Sequence, residues 1–441
     1  MRWPPPFRSL PNPREVWAWG MFDLANQSFT LLIITVLFPI YFKEVAVGDK
    51  QRGDALWAAG ISIALFIVVL LSPFVGAYAD GHRARKKLLL STGVLCIFLT
   101  ASLALVQQGW GWYALLLFVP ANILYQLGEN LLASFLPSLS TTRTMGRVSA
   151  IGWTMGYAGG LMILVFIGFL MKALGWSATT DWTPFFIIAA AWFGLGIIPA
   201  AIYLDEPDNQ QVEGSAPVSP IARLRRTIEH ASDYKQLVRF LGSFLIYGFG
   251  IQTMIAFAAI IARDFGISDT NLIWFTLQLT LTAGITAIFV SRFQDRIGVR
   301  ATIITFLAVW IASAAGLFLV KLSYAQSPPQ WMFWAIGNGI GIGLGGIGTA
   351  SRTIVGMFAP RHRTAEFFGL WGMTYKLSGA IGVLAFGQIK AWVGDIWAMG
   401  LLISFFSAGL LLFLRVDVIS GIRAARRGER ELVATKPPSI M

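Results

Sequence analysis

The stretch WGMTYKLSG, from Trp371 to Gly379, repeats a phrase that the chain already contains as WTMGYAGG, from Trp153 to Gly160. The shared pattern is W-x-M-x-Y, and its two copies begin 218 residues apart, about half of the 441-residue chain. The second copy carries Lys376 where the first carries Ala158. The repeat indicates an internal duplication, and it raises the question of why only one copy is charged.

A second pair of phrases repeats at nearly the same offset. GAYADGHRARKK runs from Gly76 to Lys87, and SRFQDRIGVR runs from Ser291 to Arg300. Their aspartates, Asp80 and Asp295, are 215 residues apart. Two independent repeats at one offset indicate two halves of the same build, which is a common arrangement in secondary transporters.

The composition excludes a soluble protein. Apolar residues make up 56% of the chain and charged residues only 13%, with a mean hydropathy of +0.66. The apolar residues form blocks of about twenty or more, long enough to cross the hydrocarbon layer as helices. The single cysteine, Cys96, lies inside such a block, and His82, His230 and His362 lie in polar connectors. We therefore expect no disulfide framework, no metal site in the membrane and no cofactor.

Hydropathy predicts an all-α integral membrane protein with twelve transmembrane helices in two pseudo-symmetric six-helix bundles. The predicted spans are 16–42, 55–79, 88–107, 113–137, 147–171, 183–203, 240–262, 270–291, 301–320, 331–357, 364–389 and 396–414. The predicted domains are a bundle over 1–203, a central loop over 204–239, a bundle over 240–415 and a basic tail over 416–441. The central loop contains either a helix on the inner leaflet or a solvated linker.

The net charge of +12 follows membrane topology and does not indicate a nucleic-acid partner. Most of the 34 Lys and Arg residues lie in segments that are cytoplasmic if both termini are cytoplasmic. We therefore expect a multi-pass protein of the bacterial inner membrane with both termini inside and no cleaved signal peptide. The short basic tail is expected to anchor to lipids of the inner leaflet.

The pattern G-x-x-x-D followed by basic residues, after spans two and eight, resembles the major facilitator superfamily. The first copy matches it at Gly76, Asp80, Arg85 and Lys86, and the second at Asp295, Arg296, Gly298 and Arg300, with Ser291 in place of the leading glycine. The resemblance implies a gate on the cytoplasmic side. It would be formed by Asp80, Arg85, Lys86, Asp295, Arg296 and Arg300.

Three longer phrases are similar to a narrower subgroup, the fungal autophagy-related vacuolar amino-acid effluxers and their uncharacterised bacterial relatives. They are WAWGMFDLANQSF, MGRVSAIGWTMGYAGG and SRTIVGMFAPRHRTAEFFGLWGMTYKLSG. The matching residues are Asp23, Ala25, Asn26, Ser351, Arg352, Glu366 to Gly369, and Lys376. The chain departs from the subgroup at Gly348 and Ala133, where relatives often carry glutamine and asparagine. The resemblance therefore implies solute transport but no particular substrate.

Four acidic or basic residues lie within the predicted spans, away from their first and last turns: Asp23, Glu129, Arg352 and Lys376. A charge at the bilayer centre costs about 2.5–3.5 kcal/mol on insertion scales, so each needs a cavity or a partner. In span one the polar and aromatic side chains share one helix face, which predicts that this face lines water or the bundle interior. That face consists of Trp19, Asp23, Asn26, Gln27 and Thr30.

The two acidic residues are candidates for proton coupling. Spans one and four line the same cavity in the resembled superfamily, so Asp23 and Glu129 would approach each other. Two carboxylates held together share a proton near neutral pH, which suits a proton carrier. The alternatives are structural: Asp23 accepts bonds from neighbouring helices, or Glu129 pairs with Arg143 or Arg147.

The two basic residues differ in depth. Lys376 lies roughly 18 Å from each end of its span, too far to reach the surface. It therefore needs a water-filled cavity, a neutral state, or an anion, and the anion is a substrate carboxylate or phosphate, Asp23 or Glu129. Arg352 lies near the inner end, where it either extends to the surface or binds an anionic substrate. The shared W-x-M-x-Y residues are interpreted as packing framework.

These patterns predict a secondary transporter, not an enzyme, that moves a zwitterionic or anionic solute such as an amino acid or a peptide-like metabolite. Acids on one wall and bases on the other suit such a solute, and we expect proton coupling, alternating access and a monomer. The candidate substrate-binding residues are Lys376, Asp23, Asn26, Gln27, Trp19, Trp371, Tyr375, Arg352, Gln126, Asn130, Tyr247, Gln252 and Asn338. The alternative is an exporter of amphiphiles, drugs or lipids with a mostly apolar cavity.

Overall fold

The computed structural model describes residues 7–8, 10, 12–141, 144–177, 179–206, 234–324, 328–360 and 364–435. Over these residues the regular structure is helical, and the long helices coincide with the predicted spans. They are α1 (Pro13–Val47), α2 (Lys50–Gly81), α3 (Arg85–Ser102), α4 (Gly111–Ser134), α5 (Met145–Leu174), α6 (Trp182–Tyr203), α7 (Lys235–Asp264), α8 (Asp269–Ile297), α9 (Val299–Ser323), α10 (Gln330–Phe358), α11 (Thr364–Trp392), α12 (Asp395–Phe413) and α13 (Val418–Thr435). The predicted helix in the central loop lies outside the described residues.

Ten of the described helices are long and apolar enough to cross a membrane. The two remaining long helices within the predicted bundles are α10 and α11. In α10, glycines and Asn338 replace aliphatic residues, and α11 carries Lys376, Gln388 and Lys390. Their lower hydropathy reflects these polar and small residues, most of which pack inside the protein.

The same five helix pairings occur in both halves of the chain. In the first half α1 packs against α5 and α6, α2 packs against α4, and α3 packs against α4 and α6. Adding six to each label gives the second half, where α7 packs against α11 and α12, α8 against α10, and α9 against α10 and α12. This repetition confirms the predicted pair of pseudo-symmetric bundles.

The two bundles meet along α2 with α11 and along α5 with α8. The approach of α11 to α2 is closest at glycine: a Cβ on Gly387 would lie 2.2 Å from the Cβ of Ala58. A Cβ on Gly379 would similarly lie 2.5 Å from the side chain of Leu65. Small residues at these positions let two membrane helices approach each other closely.

A buried group of charges joins the bundles at the end where α1 finishes. We call this the outer end, following the predicted orientation, and the group the outer ion cluster: Lys43, Asp54, Asp264, Lys390 and Asp395. The Lys390 ammonium lies 3.2 Å from Asp54, 2.6 Å from Asp264 and 2.5 Å from Asp395, and Lys43 lies 2.8 Å from Asp54 and 3.4 Å from Asp264. The cluster therefore links α1 and α2 to α7, α11 and α12.

The opposite, inner end is partly covered by α13. The apolar side of α13 packs on the ends of α7 and α10, and Gly421 lies against the ring of Phe358. Arg423, Arg426 and Arg427 are exposed. The segment predicted as a basic tail thus contains an amphipathic helix whose arginines point away from the bundle.

Candidate functional site

The polar face of α1 is turned toward α4 and α5. The Asn26 amide donates a short hydrogen bond to the Glu129 carboxylate, and the hydroxyl groups of Thr30 and Tyr125 lie 2.6 Å apart. Both contacts run from α1 to α4. The face predicted to line the interior therefore forms a polar contact between two helices of the first bundle.

Asp23 lies on the same face, one turn before Asn26. Its carboxylate lies against α5, where a Cβ on Gly156 would be 3.2 Å from Oδ2. It lies close enough to Glu129 for the two carboxylates to repel each other, and the Gln27 side chain is within its reach. Gln27 also donates a 3.3 Å hydrogen bond to Asn26. The structure thus brings the two predicted proton-coupling acids into one polar cluster.

Lys376 reaches this cluster from the other bundle. Its ammonium, on α11, donates a 2.6 Å hydrogen bond to the Gln126 side chain on α4. It also attracts the Glu129 carboxylate electrostatically. Of the anions that the sequence left open for Lys376, Glu129 is therefore the one beside it. We call Asp23, Asn26, Gln27, Gln126, Glu129 and Lys376 the central polar cluster.

Arg352 occupies a different environment, between the two copies of the W-x-M-x-Y motif. Its guanidinium lies over the ring of Trp153 at 4.6 Å and 5.8 Å from the ring of Trp371. Tyr157, from the first copy, is close enough to interact electrostatically with it, and Tyr375, from the second copy, lies near Tyr157. Among the described residues, Arg352 has no hydrogen bond and no ion pair.

Trp153 and Tyr157 lie beside Arg352 although the sequence did not single them out, because the residues shared by the two motif copies are interpreted as packing framework. The signal in the sequence that points to these two residues is the repeat of the W-x-M-x-Y motif itself. Residues that occupy equivalent positions in α5 and α11 are related by the pseudo-symmetry of the bundles, so they can meet across the interface between the halves. The interpretation as packing alone is therefore incomplete.

Three further candidate residues belong to the second bundle. The buried Tyr247 hydroxyl lies 2.9 Å from the hydroxyl of Ser351, the residue before Arg352. Gln252 donates a 3.4 Å hydrogen bond to the Tyr375 carbonyl, and the exposed Asn338 accepts one of 3.1 Å from Thr282. These side chains connect α7, α8, α10 and α11 around the site.

Two candidates lie closer to the inner end of the first bundle. Trp19 is buried and donates a 2.8 Å hydrogen bond to the Leu132 carbonyl. Asn130 donates a 2.8 Å hydrogen bond to Ser72, and both line a cavity of about 170 Å³ between α2 and α4. Neither residue contacts Lys376 or Arg352 in these described contacts.

The residues implied as a gate lie near the inner end. The backbone amides of Arg85 and Lys86 each donate a 2.7 Å hydrogen bond to the Glu206 carboxylate, which caps the start of α3. Arg300 donates a 3.0 Å hydrogen bond to the backbone carbonyl of Leu414, the residue after α12, and Arg296 is exposed. The side chains of Asp80 and Asp295 lie outside the described part of the chain, so the gating role stays a prediction.

Two six-helix bundles with matching internal packing, and a charged polar cluster at their interface, define a membrane transporter of the major facilitator class. The chain is similar in fold to a D-xylose-proton symporter of known structure, with a TM-score of 0.71 and 12% identity. The match covers 92% of this chain and 98% of that one.

Within this class, the chain belongs to the family described as vacuole effluxer Atg22 like, which matches residues 54–146 and 140–426. It is 27% identical to the uncharacterized MFS-type transporter YxiO of Bacillus subtilis, over 83% of this chain and 86% of that protein. It is 24% identical to autophagy-related protein 22 of Kluyveromyces lactis, over 85% and 81%. These matches confirm both resemblances that the sequence motifs indicated.

Proposed function

We propose that the protein is a proton-coupled secondary transporter that moves a small zwitterionic or anionic solute, such as an amino acid, by alternating access. The observation that carries this proposal is the hydrogen bond of Lys376 on α11 to Gln126 on α4, which places the ammonium within electrostatic reach of Glu129. It connects the bundles inside the membrane, beside carboxyl groups that can take up a proton. The similarity to a proton symporter and to vacuole effluxers supports the same reading.

The coupling follows from the charge of the central polar cluster. Opposite unit charges about 4 Å apart attract by roughly 4 kcal/mol at an effective dielectric constant near 20. Conformations of a transporter differ by only a few kcal/mol. A proton taken up by Glu129 or Asp23 therefore weakens the hold on Lys376 enough to change which conformation is favoured.

The proposed orientation has both termini in the cytoplasm of a bacterial cell. The exposed arginines of α13 and the basic connectors at the inner end support this orientation, because basic residues remain on the cytoplasmic side of a membrane. The outer ion cluster then closes the external side. In this arrangement a solute reaches the central polar cluster from the cytoplasm.

Transport by purified protein in proteoliposomes tests the proposal. A pH gradient is expected to drive accumulation of a labelled amino acid found by a stability screen of candidate solutes. Glu129→Gln and Asp23→Asn should abolish gradient-driven accumulation but retain exchange of labelled for unlabelled solute. Asp181→Asn, which changes a partly exposed acid on the outer side, is the matched control.

Two results would contradict the proposal. Gradient-driven accumulation that is unchanged in both acid variants would exclude coupling through the central polar cluster. Stabilisation of the protein by lipophilic cations, and by no zwitterion or acid, would instead favour the exporter of amphiphiles.

A further inference from the structure

We infer that Arg352, Trp153 and Trp371 form the binding site for a carboxylate of the transported solute, and that this carboxylate does not bind Lys376. The site lies where the two copies of the W-x-M-x-Y motif meet. The inference rests on the proposed function, and it assigns the solute to organic carboxylates whose apolar part packs on indole rings. We call these three residues the arginine site.

Among the described residues, Arg352 has no hydrogen bond and no counter-charge. A guanidinium taken out of water requires a counter-charge or hydrogen-bond acceptors. The two indole rings attract its positive charge, but they act on its faces. Its N–H donors lie in the plane of the group and point outward. In the part of the chain that the structure describes, no acceptor meets them.

Lys376 and Arg352 differ in the partners that they already have. Both cations lie inside predicted spans, and both are candidates for a solute anion. Lys376 already donates to Gln126 and lies beside Glu129. A carboxylate arriving at Lys376 would have to displace these groups and would be repelled by Glu129 and Asp23. Arg352 presents no such competition among the described side chains.

The face of α10 that carries Arg352 borders open volume. Gly348 precedes Arg352 by four residues and therefore lies on the same face of α10. A Cβ added to Gly348 would meet no atom within 4 Å, and the same holds for Gly372, next to Trp371. Trp153 is about half exposed, at 49%. Open volume thus lies beside α10 on the face that carries Arg352.

The aromatic walls favour a carboxylate over a phosphate. The planar fork of arginine matches both groups, each of which can accept two parallel hydrogen bonds. A phosphate carries up to two charges and has no apolar body, so indole rings offer it nothing. An organic monocarboxylate binds the single guanidinium charge with its carboxylate and packs its apolar part on the two indole rings. The buried Trp371 indole nitrogen also has no hydrogen-bond partner among the described residues.

The test measures binding of benzoate to the purified full-length protein in nanodiscs. The readout is the shift of the thermal unfolding temperature. Benzoate should raise this temperature in a concentration-dependent way, and its uncharged analogue benzamide should not. Arg352→Gln should weaken benzoate binding about tenfold or more, because it removes a charge-assisted pair of hydrogen bonds. Arg352→Lys, which keeps the charge but loses the fork, should give an intermediate affinity.

Matched variants separate the arginine site from general effects. Arg239→Gln removes the same charge from an exposed position on α7 and should bind benzoate like the unmodified protein. Trp153→Leu should weaken binding of benzoate more than binding of acetate, since only benzoate has a ring to pack on the indole. This residue is half exposed, so the variant keeps the test valid if Arg352→Gln does not fold.

Three outcomes would overturn the inference: unchanged benzoate affinity in both Arg352 variants, stabilisation by inorganic phosphate as strong as by benzoate, or no stabilisation by benzoate or acetate. Its failure is distinguishable from failure of the proposed function. Gradient-driven transport that depends on Glu129, without carboxylate binding at Arg352, contradicts only the arginine site. Carboxylate binding at Arg352 in a protein that shows no proton-dependent transport contradicts only the coupling.

Discussion

At the scale of single residues, the difference between Ala158 and Lys376 now has a structural context. The two positions are equivalent in α5 and α11, but only the second faces acids of the opposite bundle. A lysine at 376 donates a hydrogen bond to Gln126 and attracts Glu129 electrostatically. The duplicated motif therefore carries its charge in the copy where a counter-charge lies across the interface between the bundles.

Replacing Lys376 tests this pairing. Lys376→Met should lower the free energy of unfolding by about 3 kcal/mol, because it leaves Glu129 in the membrane without its counter-charge. Adding Glu129→Gln should recover part of this loss, since the uncompensated charge is then also removed. Unfolding of the single and double variants in denaturant measures both effects.

The control for this pair is Lys172→Met, which removes a lysine that is exposed at the end of α5. It should change the free energy of unfolding by less than about 0.5 kcal/mol. Equal destabilisation by the single and double variants would show that Lys376 and Glu129 do not interact.

At the scale of single helices, glycine explains how α10 packs. Most of its glycines contact a neighbouring helix where a side chain would not fit: a Cβ on Gly345 would lie 2.1 Å from the Ala283 carbonyl of α8, and one on Gly343 would lie 2.7 Å from Trp310 of α9. Gly348 differs, because it borders open volume. The helix is thus close-packed on two sides and open on the side of Arg352.

Two alanine substitutions in α10 test its close-packed positions and its open side separately. Gly345→Ala should lower the free energy of unfolding by about 1–3 kcal/mol, because the new methyl group collides with backbone atoms of α8. Gly348→Ala should leave stability unchanged or raise it slightly, since alanine favours helix and nothing obstructs its methyl group. Thermal unfolding of the two variants, compared side by side, measures the difference. Equal destabilisation would contradict the packing of α10 described above.

The start of α13 responds to pH through Asp417. Its carboxylate accepts hydrogen bonds from the Ser420 hydroxyl at 2.6 Å and from the backbone amides of Ser420 and Ile419. These bonds, that of the Ser420 hydroxyl first, hold the pKa of Asp417 below its usual range. Because the folded pKa is lowered, the capping contribution is present above the unfolded pKa and is lost as pH falls through the folded pKa.

We therefore expect the first turn of α13 to become more mobile in acid. A nitroxide label at Arg423→Cys should show increasing mobility as pH falls through the pKa of Asp417. In the background of Asp417→Asn, which caps without titrating, the mobility should not depend on pH. The same acid response in both backgrounds would exclude Asp417 as its cause.

At the scale of the whole molecule, the outer ion cluster holds the bundles together at one end. Lys390 alone contacts aspartates of α2, α7 and α12. Removing it leaves three carboxylates near one another with less positive charge between them, and their repulsion should open this end. We therefore expect the cluster to bias the protein toward the conformation that is closed at this end.

Lys390→Met tests this role. Spin labels at Arg52→Cys and Val393→Cys, exposed at the outer ends of α2 and α11, report the separation of the bundles. Their distance distribution should shift to longer values in Lys390→Met. The control is Lys321→Met, because Lys321 pairs with Asp395 only within the second bundle, 3.0 Å away. Identical distributions with and without Lys390 would show that the cluster does not hold the outer end closed.

The sequence by itself determined the class of protein, the positions of the long helices, the duplication and the family. These properties are encoded locally: about twenty apolar residues define a helix in a membrane, and a motif is recognisable without knowledge of its neighbours. The same local logic singled out Lys376 and Arg352, because a charge inside an apolar block is conspicuous wherever the helix packs.

Only the tertiary structure decided which groups meet. The contact of Lys376 with Gln126 crosses 250 residues of chain, and the outer ion cluster combines charges from five helix ends that hydropathy treats as mere boundaries. Arg352 between Trp153 and Trp371 depends on how two duplicated helices face each other. Such pairings arise from the packing of whole helices against one another, and no local pattern of residues specifies them.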